Sequence, residues 1–341
     1  MVQLSICIPT RNRARYLANN LRSIEIAAQR SSTPFQVCIS DNGSTDATGE
    51  VIEQFIDRLP MKVHRNAVDT GIPRNFMKVV EIADGEFTWL VGDDDLVMPD
   101  ALAVLRRLIS ENPTVDYFYV NSYHLDVKYL DGRGKPFDTR DLPDGMQTVS
   151  SFRDDGRLPF FRLIDPAVSF DFLAGMYLSV FRRSCWLSHV DTLKPCQIDH
   201  EGTFSTLDNT IPHVKIFAAA FRKSQAFFCS RALSVNLSGA REWARMYPLV
   251  RTVRLPEVLD EYKKNGLPWL RYVRCKNFAF RWFAPDVARL LMARRQTGAR
   301  YVRWKVLLGA CLYPNAYLSP GYYVWNKLRE RYSTLTRAWS Q

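Results

Sequence analysis

The sequence contains no uninterrupted apolar run of about 18 residues, the length that a membrane-spanning helix requires. Its first residues, Met1 to Ser5, also lack the basic segment of a secretory signal and lead directly into an apolar stretch. We therefore expect a protein that neither spans a membrane nor is secreted.

Cysteine pairs with metal-ligand spacing are also absent. The seven cysteines are scattered, and none forms a C-x-x-C pair. An odd and unpatterned set favours reduced thiols in a cytosolic protein over disulfides or a zinc site. His189, His200 and His213 do not have the spacing of metal ligands either. We expect no structural metal site built from cysteine or histidine.

The net charge of +11 is concentrated at one end of the chain. Residues 263–341 contain 16 Lys and Arg against two acidic residues, a net charge of +14, whereas residues 1–262 have a net charge of −3. Such asymmetry indicates a segment that faces an anionic partner. Three interpretations are open at this point: nucleic-acid binding, for which no recognised module is present, a solvated helical subdomain, and a membrane-surface segment. The aromatic residues spread through this segment include Trp269, Trp282, Phe283 and Trp304.

Short apolar segments alternate with amphipathic helical segments over the first 120 residues. Strands are predicted at 4–9, 35–39, 61–64, 87–91 and 116–120. This alternation predicts an α/β fold with a mostly parallel central sheet and helices on both faces. We predict a domain at 1–240, with one half at 1–125 and a second half at 126–240, followed by a basic, largely helical region at 241–341. Residues 126–157 are rich in Gly, Asp, Arg and Pro and are predicted to form a long surface loop.

Polar clusters follow three of the predicted strands. They are Thr10 to Arg13, Asp41 to Asp46, and Asp93 to Asp95. Because the carboxyl ends of parallel strands meet at one edge of a sheet, we expect the three clusters to converge on one cleft.

The third cluster is the most informative, because three adjacent carboxylates follow an apolar strand that ends at Val91. Their mutual repulsion gives folding no advantage, whereas a divalent cation uses carboxylate oxygens together with the phosphate oxygens of a nucleotide. The cluster therefore predicts a metal and diphosphate site. The alternative is a solvated acidic turn that caps the helix after Pro99.

The stretch from Ser5 to Pro99 resembles family 2 glycosyltransferases. The resemblance is carried by the ordered set Ser5 to Arg13, Ile39 to Asp46, Arg65-Asn66, Gly71, Arg74-Asn75 and the acidic run before Pro99. The run Gly92 to Asp95 and the region near Asp208 are also similar to the abequosyltransferase-like bacterial branch. The resemblance implies a nucleotide-sugar-binding fold of glycosyltransferase A type and inverting transfer of a hexosyl or deoxyhexosyl group by single displacement.

The resemblance also implies roles at the donor site. Asp41 would accept a hydrogen bond from the nucleobase, and Arg65 or Arg74 would neutralise the diphosphate, since guanidinium matches phosphate geometry. The alternative for each arginine is an ordinary surface side chain. The remaining predicted donor-binding residues are Pro9, Thr10, Arg11 and Asn66.

The acidic run departs from the family pattern, in which an acid usually stands where this chain has Gly92. Alignment on Pro99 makes Asp94 the best match to the ligand of Mg²⁺ or Mn²⁺. Asp93 would lie against the ribose or donor sugar and also near the metal, and Asp95 would be a supporting or alternative ligand.

The catalytic base of the family lies in an acidic motif before a late helix. Asp208 fits that place, although the glutamate that usually precedes it is missing. Glu201 is the alternative and Asp199 the third candidate. The competing interpretation is that Asp208 only caps a helix.

These observations predict an inverting, metal-dependent glycosyltransferase that uses a nucleotide-diphosphate sugar. The resemblance implies a lipid-linked or oligosaccharide acceptor in bacterial surface-polysaccharide synthesis of the O-antigen type. It therefore favours peripheral attachment of the basic tail to the anionic inner face of the cytoplasmic membrane, with no nucleic-acid partner. Two alternatives remain: a sugar-nucleotide nucleotidyltransferase, although Pro9 to Arg13 contains no glycine for a phosphate loop, and a non-catalytic nucleotide- or glycan-binding module.

Overall fold

A computed structural model describes residues 2–32, 34–200, 202–240, 242–302 and 304–339, with side chains for all of these except 242, 304 and 330–339. The chain divides into two compact units. The sheet unit contains Met1–Thr203 and Asp208–Arg241, and the helical unit contains Phe204–Leu207 and Glu242–Gln341.

The sheet unit is built on one mixed sheet. Its strands are β1 (Leu4–Thr10), β2 (Phe35–Asp41), β3 (Met61–Arg65), β4 (Phe87–Leu90), β5 (Asp95–Val97), β6 (Tyr117–Asp126), β7 (Gln147–Thr148), β8 (Gly156–Pro159), β9 (Ser179–Arg182) and β10 (Gln225–Ser238). The order across the sheet is β3-β2-β1-β4-β9-β6-β10-β5, with β7 beside β6 and β8 beside β10.

Most of the paired residues lie in parallel pairings, which join β1 to β2, β1 to β4, β2 to β3 and β6 to β10. β9 is antiparallel to both of its neighbours, β4 and β6. The predicted mostly parallel sheet is confirmed, and its antiparallel strands are additions that sequence periodicity did not reveal. β5 and β9 have only three and four residues, too few to show a period.

Helices connect the strands of the sheet unit, and longer ones such as α1, α2 and α4 have an apolar stripe facing the core. In α1, this stripe includes Leu17, Leu21 and Ile24, all fully buried. All seven residues of β1 are also buried, as expected of a central parallel strand covered on both faces. The helices are α1 (Ala14–Gln29), α2 (Thr48–Phe55), α3 (Ile72–Glu81), α4 (Ala101–Glu111), α5 (Arg183–Leu187), α6 (Pro195–Ile198) and α7 (Pro212–Ala220).

The helical unit is helical throughout its regular structure, which confirms the predicted character of the C-terminal region. Its helices are α8 (Tyr247–Leu249), α9 (Leu255–Lys264), α10 (Trp269–Ala279), α11 (Phe283–Met292), α12 (Trp304–Ala310) and α13 (Pro314–Trp339), with a π-helical turn at Val250–Arg254. Arg251 forms a two-point ion pair with Asp286, whose carboxylate is fully buried. In the part of the chain that the structure describes, no helix has both the length and the hydropathy needed to cross a bilayer.

Candidate active site

Hydrogen bonds connect the loops that follow β1 and β2 at the carboxyl edge of the sheet. The backbone N–H of Asn12 donates to Ser44 Oγ at 2.8 Å, and the N–H of Thr45 donates to Asn12 Oδ1 at 2.7 Å. Asp46 Oδ2 accepts from the N–H of Ala14 at 3.2 Å and so caps α1 from a different loop. Two of the three predicted polar clusters are therefore joined at one edge.

The third cluster meets the first through side chains. Thr10 Oγ1 donates to Asp93 Oδ2 at 2.8 Å. Arg13 contacts both acids, with Nε 3.4 Å from Asp93 Oδ1 and Nη2 3.0 Å from Asp94 Oδ2. Both carboxylates are largely buried, which is incompatible with the alternative of a solvated acidic turn.

The surroundings of Asp93 disfavour its ionised form. Burial first, and the neighbouring Asp94 charge second, raise the pKa of Asp93 to about 7, although Arg13 and Thr10 favour its ionised form. The contact with Arg13 therefore compensates the two acids only in part. An added cation would stabilise the ionised pair.

Asp95 has different hydrogen-bond partners from its two neighbours. Its Oδ2 accepts from the backbone N–H of Gly92 at 3.0 Å, and its Oδ1 accepts from Asn236 Nδ2 at 2.7 Å. Asn20 Nδ2 donates to the backbone oxygens of Gly92 and Asp95, at 3.1 and 2.7 Å. Asp95 thus stabilises the turn that presents Asp93 and Asp94.

This turn also explains why glycine replaces the usual acid at position 92. A Cβ there would lie 2.7 Å from Asp95 Oδ2 and 2.9 Å from Asp94 Oδ1. Both carboxylates would have to move, and Asp95 is held by Asn236.

Asp41, the predicted nucleobase acceptor, is fully buried at the end of β2. Its Oδ1 accepts from the N–H of Ser44 at 3.0 Å. Its Oδ2 lies 3.3 Å from Arg65 Nε but has no hydrogen-bond partner among the described residues. Arg65 also donates to the backbone oxygen of Ser44 at 2.9 Å. A buried carboxylate oxygen with unused acceptor capacity suits a ligand N–H.

A network of amides lies beside Asp41. Asn42 Oδ1 accepts from Asn66 Nδ2 at 2.9 Å and from the N–H of Thr70 at 3.0 Å. Arg11 forms an ion pair with Asp69 at 2.6 Å, and both side chains are exposed. A cavity of about 510 Å³ opens here and is lined by residues that include Asn66, Thr70, Arg74, Met77 and Leu187. Its volume falls in the range of small-molecule sites.

Arg74 projects from α3 and forms a two-point ion pair with Asp199, at 2.8 and 2.6 Å. Both side chains are about half exposed. Arg74 therefore already has an anionic partner, and Asp199, the third base candidate, already has a cationic one.

Asp208, the first candidate for the base, is buried just before α7. Lys215 Nζ donates to both of its oxygens at 2.8 and 2.9 Å, and the backbone N–H of Lys194 donates to Oδ2 at 2.8 Å. Among the described residues Oδ1 accepts from Lys215 alone, and a carboxylate oxygen has two acceptor sites. Glu201, the alternative base, lies outside the described residues.

The donor set fits a hard divalent cation that shares a diphosphate. Among the described residues, no three His, Cys, Asp or Glu side chains are grouped so that they could hold a metal by themselves. Mg²⁺ commonly takes only one or two protein carboxylates and completes its shell with phosphates and water. Asp93 and Asp94 are the residues that would hold it.

Arg13, Asn20 and Asn236 take part in the site although the sequence did not single them out for it. Arg13 follows β1, and β1 pairs with β4, so strand adjacency brings it beside the acidic run. The polar run Thr10 to Arg13 was a usable signal for Arg13. Asn236 is 141 residues from Asp95 along the chain, and no local pattern predicted that contact.

Residues 5–166 match the family model described as "Glycosyl transferase family 2". A 114-residue segment, 33% of this chain, is 37% identical to abequosyltransferase RfbV of Salmonella typhimurium, of which it covers 34%. A 139-residue segment, 40% of this chain, is 29% identical to poly(ribitol-phosphate) beta-N-acetylglucosaminyltransferase TarS of Staphylococcus aureus, of which it covers 23%. The matched segments thus span about a third or less of these two relatives.

Solved structures share the fold. S. aureus TarS 1-349 in complex with UDP-GlcNAc superposes with a TM-score of 0.54 at 17% identity, over 85% of this chain and 73% of that one. Mannosyltransferase PcManGT from Pyrobaculum calidifontis, in complex with GDP-Man and Mn²⁺, gives 0.52 at 15% identity, over 95% and 88%. The predicted glycosyltransferase A-type fold is confirmed.

Proposed function

We propose that this chain, whose residues 5–166 match the model of glycosyl transferase family 2, is an inverting glycosyltransferase that moves a sugar from a nucleotide-diphosphate sugar to a hydroxyl of a glycan acceptor. The observation that carries the proposal is the buried pair Asp93 and Asp94 at the carboxyl edge of the sheet, contacted by Thr10 and Arg13. Ligands of open α/β sheets bind at this edge.

The donor would lie across the three polar clusters. Asp41 Oδ2 retains acceptor capacity for a nucleobase N–H, and the cavity beside Asn66 and Arg74 offers room for part of the nucleotide. Asp93 and Asp94 would hold Mg²⁺ or Mn²⁺, which when bound supplies positive charge to the leaving diphosphate. PcManGT, which has this fold, is described with GDP-Man and Mn²⁺.

Asp208 is the proposed general base. Its carboxylate is fixed by Lys215 and by the backbone N–H of Lys194, and Oδ1 has room for one more hydrogen bond. A fixed carboxylate of this kind can receive the proton of the acceptor hydroxyl when the hydroxyl lies within hydrogen-bond distance. Glu201 remains the alternative.

The proposed acceptor is a lipid-linked oligosaccharide of bacterial surface-polysaccharide synthesis. The similarity to an abequosyltransferase and to a poly(ribitol-phosphate) glycosyltransferase supports this class. We place the enzyme at the anionic inner face of the cytoplasmic membrane, held there without a spanning segment.

The exposed face of α13 supports attachment to a membrane surface. Its six exposed apolar residues among those with described side chains fall within about 160° of arc at 100° per residue, opposite the buried Ala316 and Ser319. A helix with apolar side chains on its solvent side needs a partner, and the +14 charge of residues 263–341 suits an anionic one. The six residues are Tyr317, Leu318, Tyr322, Val324, Trp325 and Leu328.

The structure changes which aromatic residues are available as anchors. Trp269 is 60% exposed, as this role requires. Trp282 is only partly exposed and its ring lies 6.4 Å from that of Tyr323, while Phe283 packs edge-on against Phe280 at 5.7 Å. The side chain of Trp304 lies outside the described residues. Trp325 of α13, at 67% exposure, was not among the predicted anchors.

The function is tested by incubating the full chain with a panel of nucleotide sugars and measuring thermal stabilisation with and without Mn²⁺. The stabilising donor is then supplied with lipid-linked acceptors, and the anomeric configuration of the product is determined. We expect Mn²⁺-dependent stabilisation and transfer with inversion. Pyrophosphate formation from sugar phosphate and nucleotide would indicate a nucleotidyltransferase, and donor binding without turnover would indicate a binding module.

A further inference from the structure

Arg13 is placed differently from the other arginines near the predicted donor site. Its side chain is 14% exposed, whereas those of Arg11, Arg65 and Arg74 are 49%, 60% and 46% exposed. Those three form ion pairs with Asp69, Asp41 and Asp199. Arg13 alone among the four contacts Asp93 and Asp94, the pair that would hold the metal.

The contacts of Arg13 are spread over several acceptors. Nη2 lies 3.0 Å from Asp94 Oδ2, and Nε lies 3.4 Å from Asp93 Oδ1, near the limit of a hydrogen bond. Nη1 donates to the backbone oxygen of Ala240 at 3.0 Å, and the guanidinium lies 4.3 Å from the centre of the Tyr16 ring. The side chain therefore makes no two-point pair with either acid, and it has further contacts that do not depend on them.

We propose that Arg13 acts as an internal counter-ion for Asp93 and Asp94 that competes with the divalent cation and then turns to the donor diphosphate when metal and donor bind. Without a cation, its charge reduces the repulsion within the acidic pair. A metal held by the same two oxygens would repel the guanidinium. The adjacent diphosphate is then the anion that its planar group fits. Arg13 is thus a positioning residue that couples metal binding to donor binding.

This inference rests on the proposed function. It predicts that loss of the Arg13 charge changes metal affinity and nucleotide affinity in opposite directions. Removing the Arg13 charge should strengthen metal binding in the absence of nucleotide, because a competitor is lost. The same change should weaken nucleotide binding in the presence of metal, because a phosphate contact is lost. A residue that only supported the fold would not separate the two affinities in this way.

The test measures Mn²⁺ affinity of the full chain at pH 8, where protons compete little for the carboxylates, by the paramagnetic resonance of free Mn²⁺. We expect Arg13→Gln to bind Mn²⁺ about tenfold more tightly than the wild type. This factor corresponds to a modest part of the repulsion between the guanidinium and a cation bound to the same acids. With saturating Mn²⁺, we expect UDP and GDP, whichever the wild type binds, to bind Arg13→Gln about tenfold more weakly. Arg15→Gln is the matched control, since Arg15 pairs with Asp131 through two exposed side chains, and it should leave Mn²⁺ affinity unchanged.

Arg13→Lys is a second variant, in case the glutamine variant is poorly folded. Lysine keeps the charge but cannot span both acids and Ala240 O, so we expect Mn²⁺ affinity between those of the wild type and Arg13→Gln. Folded Arg13 variants that bind Mn²⁺ no more tightly than the wild type would overturn this proposal alone. A wild type that binds no Mn²⁺ even with nucleoside diphosphate would overturn the metal assignment and this proposal together.

Discussion

The sheet unit and the helical unit use charge in opposite ways. In the sheet unit, acids and bases close to the site are matched over short distances, as in Arg13 with Asp93 and Asp94, Arg65 with Asp41, and Lys215 with Asp208. In the helical unit, residues 263–341 carry a large excess of basic groups. Apolar side chains such as Leu312 and Trp325 are exposed in the same segment.

This difference in charge distribution implies that the two units bind partners of different size. Buried and directional charges can recognise a small anion such as a diphosphate, because desolvation strengthens each contact and fixes its geometry. Each exposed basic side chain interacts only weakly with an anion. Many of them, next to exposed apolar side chains, can together bind an extended anionic surface. The sheet unit should therefore be sensitive to single substitutions, and the helical unit should respond gradually.

The largest effect is expected at Asp94. Asp94→Ala removes a proposed metal ligand and should reduce transfer by about a thousandfold, the upper range for loss of one charge-stabilising group. The fold should persist, because the change also relieves repulsion on Asp93. Steady-state transfer assays measure the loss, with Asp131→Asn, an exposed carboxylate that pairs with Arg15, as the control. Full activity of Asp94→Ala, or of the wild type in excess chelator, would contradict the metal assignment.

Asp208→Asn tests the proposed base within the same unit. The amide keeps the shape and an oxygen for the Lys194 N–H but loses the proton acceptor. Turnover should fall by roughly a hundredfold or more, with nearly unchanged donor affinity. Single-turnover assays and donor titrations separate the two quantities. A normal Asp208→Asn together with an inactive Glu201→Gln would assign the base to Glu201.

The buried histidine of α7 should make the sheet unit sensitive to acid. Burial lowers the pKa of His213 from 6.5 to about 4, although its contacts with backbone oxygens oppose the shift. Between these values the unfolded chain binds a proton that the folded chain does not, so stability falls as the pH decreases. His213 should cost about 2 kcal/mol in free energy of unfolding between pH 7.5 and pH 5.

His213→Gln should remove that part of the pH dependence while keeping a donor for the Ala174 oxygen that the ring contacts at 3.0 Å. Denaturant titrations of the two proteins at both pH values give the comparison. Equal losses of stability on acidification would show that His213 is not responsible.

The smallest effect is expected in the helical unit, where Trp325→Ser removes one exposed ring from α13. Vesicle affinity should fall by roughly tenfold, the scale set by burying one large apolar side chain. Sedimentation with anionic and zwitterionic vesicles at low and high salt measures it. Binding should favour anionic vesicles and weaken with salt. Equal recovery of the protein in the supernatant with either vesicle type and with none would contradict membrane binding and favour a solvated helical subdomain. As a control, Trp325→Ser should not change transfer to a soluble acceptor.

Short-range pattern was sufficient for much of the sheet unit. The strands β1 to β4 were predicted within a few residues of their observed bounds, because each is a short apolar run followed by polar or turn residues. β10 was not among the strands predicted above: its alternating residues Leu233 to Ser238 are joined to the apolar run that ends at Cys229 only through register shifts in its pairing with β6. Tertiary pairing decided the length of this strand.

The acidic run separates what the sequence determined from what only the tertiary structure decided. The sequence by itself determined that three carboxylates follow a buried strand, and therefore that an anionic site lies at the carboxyl edge of the sheet. Without the family resemblance, this pattern did not distinguish the three acids. Asn236 and the backbone N–H of Gly92 donate hydrogen bonds to Asp95. Thr10 donates to Asp93, and Arg13 contacts Asp94. Those partners come from distant parts of the chain, and only the folded sheet brings them to the acids, so contacts between strands rather than local pattern assign each carboxylate its role.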